Sequence, residues 1–241
     1  MLAVEIIDNN SDQDVLMLHG IMADHYQLEY FWKLPYNIIA PDLPGHGESP
    51  APKRHIIKNA AEEIMRFLKQ ERKQHLHVLA YSLGGYILEE MLRIGFHPRS
   101  IVFLSSAYEY PYDSILNKLM NIDIAVESLE KHQLAMETIM DEYRSIHGFE
   151  DVKTAGHLDV FATLRYVSEL KKINNIELCR HINRPVMVIH GHKDKIIPVR
   201  HGKDLAKSIK GSQMKLLEKD HNNILRCDKT LKIIKDFFSK H

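Results

Sequence analysis

Residues 80–85 read Ala-Tyr-Ser-Leu-Gly-Gly and join a short apolar run to a stretch with helical spacing. The apolar run at residues 78–79 predicts a strand, so Ser82 is expected at a sharp turn from strand to helix. Such a bend requires small residues on both sides of the serine, and here they are Ala80 and Gly84. This turn restricts the chain to folds in which helices leave the ends of a sheet, and it exposes the serine oxygen above that sheet.

Short apolar runs alternate with longer amphipathic stretches along much of the chain. The predicted strands are 4–7, 15–18, 37–40, 76–80, 100–104, 185–189 and 213–217, and the predicted helices are 56–72, 83–94, 199–209 and 224–238. This alternation is typical of an α/β protein with a mostly parallel, twisted sheet flanked by helices. The length of 241 residues suits one such domain with an insertion.

The interval between Ser106 and Arg184 interrupts this alternation. It contains helical periodicity at about 114–146 and 157–171 but no convincing strand. We therefore predict a helical cap (lid) at 110–172, inserted into a core formed by 1–109 and 173–241. Extra surface helices of one larger domain are the alternative.

Composition narrows the range of partners. Hydrophobic residues make up 44% of the chain, and 32 Lys and Arg balance 32 Asp and Glu. Nucleic acids and anionic membranes bind positively charged surfaces, so neither nucleic-acid binding nor stable membrane association is expected. The chain shows neither a signal-peptide pattern nor a long apolar run, which predicts a cytoplasmic protein. We expect it to be a monomer or a homodimer. Cys179 and Cys227 lack metal spacing and are expected as reduced thiols.

Two further residues follow later predicted strands. Asp194 lies in the loop after 185–189, and His221 lies in the loop after 213–217. The carboxyl ends of parallel strands meet at one edge of a sheet, so Ser82, Asp194 and His221 are expected together there. A nucleophilic serine requires a base within hydrogen-bond reach and a group that orients the base. The chain order serine, acid, histidine is the one that strand-turn-helix serine sites use.

Other residues compete for these roles. Glu109 and Asp113 follow the strand 100–104 and are alternatives to Asp194, whereas Asp220 is expected to face away from its neighbour His221. The histidine pairs His75/His77 and His190/His192 have metal-like spacing on a strand. Neither pair has a third ligand at a suitable spacing, so neither a metal nor any other cofactor is expected.

Together these features resemble the α/β-hydrolase superfamily over essentially the whole chain. The segments that carry the resemblance are His19-Gly20, Pro41-Asp42-Leu43-Pro44-Gly45-His46-Gly47-Glu48-Ser49, the Ser82 turn, Gly191-His192-Lys193-Asp194 with Pro198, and Asp220-His221. The resemblance implies that Ser82 is the nucleophile, His221 the general base and Asp194 the carboxylate that orients it. It also implies an oxyanion hole made by the backbone N–H groups of Ile21 and Leu83.

Two positions distinguish this chain from relatives within the superfamily. Haloalkane dehalogenases and epoxide hydrolases attack with a carboxylate where this chain has Ser82. The menaquinone-pathway synthase has an arginine where this chain has Tyr86. Ala80 replaces the usual glycine of the turn, which alters the motif but keeps the chemistry.

The expected activity is therefore a serine carboxylesterase acting through an acyl-enzyme. The substrate is expected to be a small-to-medium uncharged carboxylic ester or thioester, because no basic cluster marks a site for a charged acyl group. The expected lining residues are Met22, Tyr108, Tyr110, Met136, Met140 and Phe161. Two alternatives are a carbon–carbon bond hydrolase with the same triad and a catalytically silent protein of this fold that binds a ligand.

Overall fold

The computed structural model describes residues 1–52, 55–114, 117 and 159–241. Seven strands form one sheet in the order β1-β3-β2-β4-β5-β6-β7. Strand β1 is antiparallel to β3, and all the other neighbours are parallel. The strands are β1 (Val4–Ile7), β2 (Asp14–Leu18), β3 (Asn37–Pro41), β4 (His77–Tyr81), β5 (Ser100–Leu104), β6 (Val186–Gly191) and β7 (Gln213–Leu217). The predicted mostly parallel sheet is confirmed.

Helices cover both faces of the sheet. They are α1 (Ile56–Gln70), α2 (Leu83–Arg93), α3 (Val160–Leu170), α4 (Ile176–Arg180), α5 (Val199–Ser208) and α6 (Asp228–Phe238), with a 3₁₀ helix at His25–Lys33. Leu16 and Leu18 of β2 belong to the core under α1, α2, α3 and α5. Val15 and Met17, which alternate with Leu16 and Leu18 along the strand, belong to the core under the 3₁₀ helix and α6. Alternate side chains of a central strand therefore fill two apolar layers, as both faces of a buried sheet require.

The last helix begins later than the sequence predicts. Helix α6 starts at Asp228, whereas the apolar pattern predicts a start at Ile224. Ile224 and Leu225 are buried, but they lie in turns that follow the loop of His221. The apolar pattern therefore identified the buried residues correctly but assigned the wrong backbone conformation to these two.

Two elements were not predicted from the sequence. The 3₁₀ helix begins at His25 and is capped by Asp24, whose side chain accepts a hydrogen bond from the backbone N–H of Tyr26. It buries Leu28 and Phe31 against the sheet. The short helix α4 buries Cys179.

The division into core and cap stays a prediction. Most of residues 110–172 lie outside the described part of the chain. Of this interval, the structure describes residues 110–114, 117 and 159–172, and the last of these ranges contains helix α3. Ala162, Tyr166 and Leu170 of α3 are buried in the same core as α1 and α2. None of the helices within the described ranges has both the length and the apolar character needed to cross a membrane.

Candidate active site

Ser82 lies at the bend between β4 and α2, with φ 50° and ψ −115°. A Cβ atom on Gly84 would lie 2.3 Å from the carbonyl oxygen of Leu18, and one on Gly85 would lie 1.9 Å from Ser106 Oγ. These close approaches explain why small residues follow the serine. Ala80, which replaces the usual glycine before the serine, is buried in the core beneath α2 without disturbing the strand.

Three side chains from three loops form one hydrogen-bonded chain. Nε2 of His221 lies 3.1 Å from Oγ of Ser82, and Nδ1 of His221 lies 2.7 Å from Oδ2 of Asp194. All three residues are buried, with 6% or less of each exposed. In the neutral tautomer with hydrogen on Nδ1, the ring donates to the carboxylate and Nε2 can accept the serine proton.

The Asp194 carboxylate is held on both oxygens. Oδ1 accepts hydrogen bonds from the backbone N–H groups of Ile196 (3.0 Å) and Ile197 (2.8 Å). Burial alone would raise the pKa of Asp194. The nearby charge of His221 and hydrogen bonds from His190 and His221 outweigh burial and hold the pKa well below its usual value. The carboxylate therefore stays ionised beside the ring of His221.

The competing carboxylates have other partners. Asp113 accepts hydrogen bonds from Nε of Arg200 and Nε2 of His201, each at 2.8 Å. Asp220 accepts hydrogen bonds from the backbone N–H groups two and three residues later in its own loop. Glu109 Oε1 lies 3.9 Å from Nδ1 of His201. Within the described residues, Asp194 is the carboxylate that contacts the His221 ring.

The expected oxyanion donors are the backbone N–H groups of Ile21 and Leu83. Gly20 N donates to Oε1 of Gln27 at 2.7 Å, and Met22 N donates to Nε2 of His46 at 3.1 Å. The intervening N–H of Ile21 donates to no acceptor in the described ranges, and neither does that of Leu83 at the start of α2. Unpaired N–H groups near the serine are suited to stabilising an oxyanion.

The predicted lining residues lie in different environments. Met22 is buried and has φ 60°, and Tyr110 is buried with a hydroxyl that has no partner among the described residues. Tyr108 is partly buried, whereas Phe161 of α3 is 50% exposed. Met136 and Met140 lie outside the described residues.

The histidine pairs do not share ligand environments. His190 is buried, with Nε2 2.8 Å from the carbonyl oxygen of Ile197, whereas the side chain of His192 is 42% exposed. His77 is buried and contacts Oγ of Ser100, whereas His75 is exposed. The described part of the chain holds no cluster of three or more histidine, cysteine, aspartate or glutamate side chains suited to a metal ion.

Sequence reasoning missed several residues that support the three side chains. Nε2 of His190 lies 3.3 Å from Oδ2 of Asp194. The hydroxyl of Tyr81 lies 3.1 Å from the carbonyl oxygen of His221, and Oγ of Ser106 donates to the carbonyl oxygen of Ser82 at 3.0 Å. The role of Tyr81 could have been found from the sequence. Tyr81 is the last residue of β4, and strand alternation directs its side chain to the face opposite α2.

Comparison with known proteins identifies the family of the chain. A family model described as "Alpha/beta hydrolase family" matches residues 15–225. The curated relatives include "Serine hydrolase BPHL" of Homo sapiens, 24% identical over 247 residues that cover 94% of this chain and 79% of the relative.

Solved structures show the same fold at low sequence identity. An esterase from Exiguobacterium antarcticum has a TM-score of 0.80 at 20% identity, covering 99% of this chain and 94% of that chain. A bromoperoxidase from Bacillus anthracis has a TM-score of 0.82 at 18% identity, covering 100% and 95%. With the family model matching most of its length, the chain belongs to the alpha/beta hydrolase family.

Proposed function

We propose that this protein is a serine hydrolase that cleaves small-to-medium uncharged carboxylic esters through an acyl-enzyme. The observation that carries the proposal is the chain of contacts from Ser82 Oγ through the His221 ring to Asp194. A serine hydroxyl is a weak nucleophile unless a correctly oriented base removes its proton. This arrangement supplies both the base and the group that orients it.

The first half-reaction transfers the acyl group to Ser82. Its Oγ attacks the ester carbonyl carbon while the hydroxyl proton moves to Nε2 of His221. Negative charge develops on the carbonyl oxygen, which accepts hydrogen bonds from the N–H groups of Ile21 and Leu83. The bond to the alcohol oxygen then breaks, and His221 returns the proton to that oxygen.

The second half-reaction releases the acid. Water attacks the acyl carbon and gives a proton to Nε2 of His221, and the same N–H groups stabilise the second oxyanion. The bond to Ser82 Oγ then breaks, and His221 returns the proton to Oγ. The ionised carboxylate of Asp194 stabilises the imidazolium that forms in both halves.

Apolar surroundings favour an uncharged acyl group. Ile21, Met22 and Leu83 are all at most 7% exposed and lie in the segments that provide the proposed oxyanion donors. A charged acyl group would lose hydration against such side chains without gaining a paired charge. A methionine next to the donor loop can adapt to acyl groups of different shape.

An ester series tests the proposal. We expect p-nitrophenyl acetate, butyrate and hexanoate to be cleaved faster than the palmitate or a succinyl half-ester, with activity lost in Ser82→Ala. Equal activity in Ser82→Ala would contradict the mechanism, and a preference for the charged succinyl ester would contradict the substrate class. No turnover of esters together with cleavage of a vinylogous diketone would instead identify a carbon–carbon bond hydrolase.

A further inference from the structure

The loop after β2 presents three consecutive backbone N–H groups, of which the outer two have internal acceptors. Gln27 accepts from Gly20 N, and Nε2 of His46 accepts from Met22 N. Met22 adopts φ 60°, a left-handed conformation that non-glycine residues rarely occupy. The contacts with Gln27 and His46 therefore anchor the peptides on both sides of the Gly20–Ile21 peptide, which carries the Ile21 N–H.

The His46 ring is suited to act as a permanent acceptor. It is 1% exposed, and burial together with the neighbouring ring of His19 lowers its pKa to about 3. The ring therefore stays neutral above pH 4, and in the tautomer with hydrogen on Nδ1 its Nε2 accepts from Met22 N. A second histidine contact joins the same two segments: Nε2 of His19 accepts a hydrogen bond from Leu43 N at 2.9 Å.

Helix α3 holds the segment that carries His46. The hydroxyl of Tyr166 donates to the carbonyl oxygen of Pro44 at 3.1 Å, and its ring centroid lies 5.3 Å from that of His46. A Cβ atom on Gly45, which has φ +83°, would lie 2.3 Å from Cβ of Ala162. The helix therefore packs directly on the backbone beside His46.

We propose that His46, held by Tyr166 of α3, positions the Ile21 N–H for the developing oxyanion. Both are positioning residues, because they act through the loop and not on the substrate. The inference rests on the proposed function, since it assigns the Ile21 N–H to the oxyanion hole. It adds a connection from α3, the helix that ends the predicted cap, to that oxyanion hole.

The expected effect is on the transition state. Removing one oxyanion donor typically lowers kcat by about 10²- to 10³-fold. A donor that is displaced but still present should lose less, so we expect His46→Ala to lower kcat by roughly 10- to 100-fold. KM should change little, because the ground-state ester forms weaker hydrogen bonds to the same N–H groups.

The test compares four variants on one ester and one inhibitor. His46→Ala removes the acceptor of Met22 N, and His46→Gln supplies an amide oxygen as a replacement acceptor. Tyr166→Phe removes the hydroxyl that donates to Pro44. His77→Ala is the matched control, because His77 is also a buried histidine. It lies at the end of β4 away from Ser82 and contacts Ser100 of β5. The readouts are kcat, KM, Tm and affinity for an aryl trifluoromethyl ketone, which forms a tetrahedral oxyanion on an active serine.

We expect His46→Ala to lose kcat and ketone affinity in parallel, His46→Gln to recover most of both, and Tyr166→Phe to show a smaller loss. His77→Ala should lower Tm alone. Wild-type kcat and ketone affinity in folded His46→Ala, or losses that follow Tm without rescue by glutamine, would overturn the inference. If His46→Ala does not fold, an unchanged kcat in Tyr166→Phe overturns it. Wild-type protein that neither hydrolyses esters nor binds the ketone would instead refute the proposed function, and the inference with it.

Discussion

Nδ1 of His221 lies 2.7 Å from Oδ2 of Asp194, although 27 positions separate the two residues in the sequence. The other oxygen of the carboxylate accepts two backbone N–H groups, which prevents the side chain from rotating away. The contact therefore fixes the His221 tautomer that leaves Nε2 free to accept the Ser82 proton.

Asp194→Asn should lower kcat by about 10⁴-fold, because the amide would favour the wrong tautomer of His221. The asparagine can still accept the two backbone N–H groups, so we expect a folded protein. Steady-state ester hydrolysis measures the loss. Asp113→Asn is the matched control, because Asp113 pairs with Arg200 and His201, and it should keep wild-type kcat. Loss of activity in the control alone would show that Asp113 is the orienting acid.

Gly84→Ala should destabilise the fold by about 2 kcal/mol or more, because the added methyl group would overlap the carbonyl oxygen of Leu18. The urea midpoint measures this change. Gly95→Ala is the control, because a Cβ there would meet no atom within 4 Å and would cost only the strain of φ +96°. Equal stability losses in the two variants would mean that crowding at the bend is unimportant.

Much of the sheet could be predicted from the sequence because buried parallel strands are short apolar runs between turns. Strands β1, β5 and β7 have the predicted bounds. Ser82, Asp194 and His221 lie together at the ends of neighbouring strands, as expected. The contacts that support these three side chains could not be predicted. No local pattern indicates that His46 accepts from Met22 N, 24 positions away.

Glu89 gives a prediction about pH and stability. This carboxyl lies fully buried on α2, where burial raises its pKa from 4.5 to about 8, although hydrogen bonds from Asn175 and Cys179 oppose the shift. Between these two pH values the folded state binds one proton that the unfolded state has lost. The free energy of unfolding should therefore fall as pH rises through this window, by about 1.4 kcal/mol per unit at most.

Glu89→Gln should remove this pH dependence, since the amide does not titrate and can still accept the hydrogen bond from Asn175. Urea unfolding at pH 5 and pH 8.5 should show the variant gaining a few kcal/mol over wild type at the higher pH only. Glu90→Gln is the control, because Glu90 is partly exposed and pairs with Arg93 on the surface. A wild type whose stability is constant over this range, or equal behaviour of the two variants, would contradict the prediction.

The start of α6 shows why some boundaries could not be predicted. Apolar spacing reports which residues are buried, and Ile224 and Leu225 are buried. The backbone there bends to hold the preceding loop, with Leu225 N donating to the carbonyl oxygen of Asn222 at 2.9 Å. The position of His221 therefore depends on a turn that the pattern did not distinguish from a helix.

Labelling with a fluorophosphonate probe, followed by mass spectrometry of the tryptic peptides, tests the central claim most directly. An activated serine displaces fluoride and keeps the phosphonyl group. Arg93 and Arg99 lie between Ser82 and the buried Ser105, so the two serines fall on different peptides. The account predicts one adduct per chain on Ser82, absent in His221→Ala and retained in Ser105→Ala. Folded wild-type protein that takes no label, or takes it on another residue, would contradict the account.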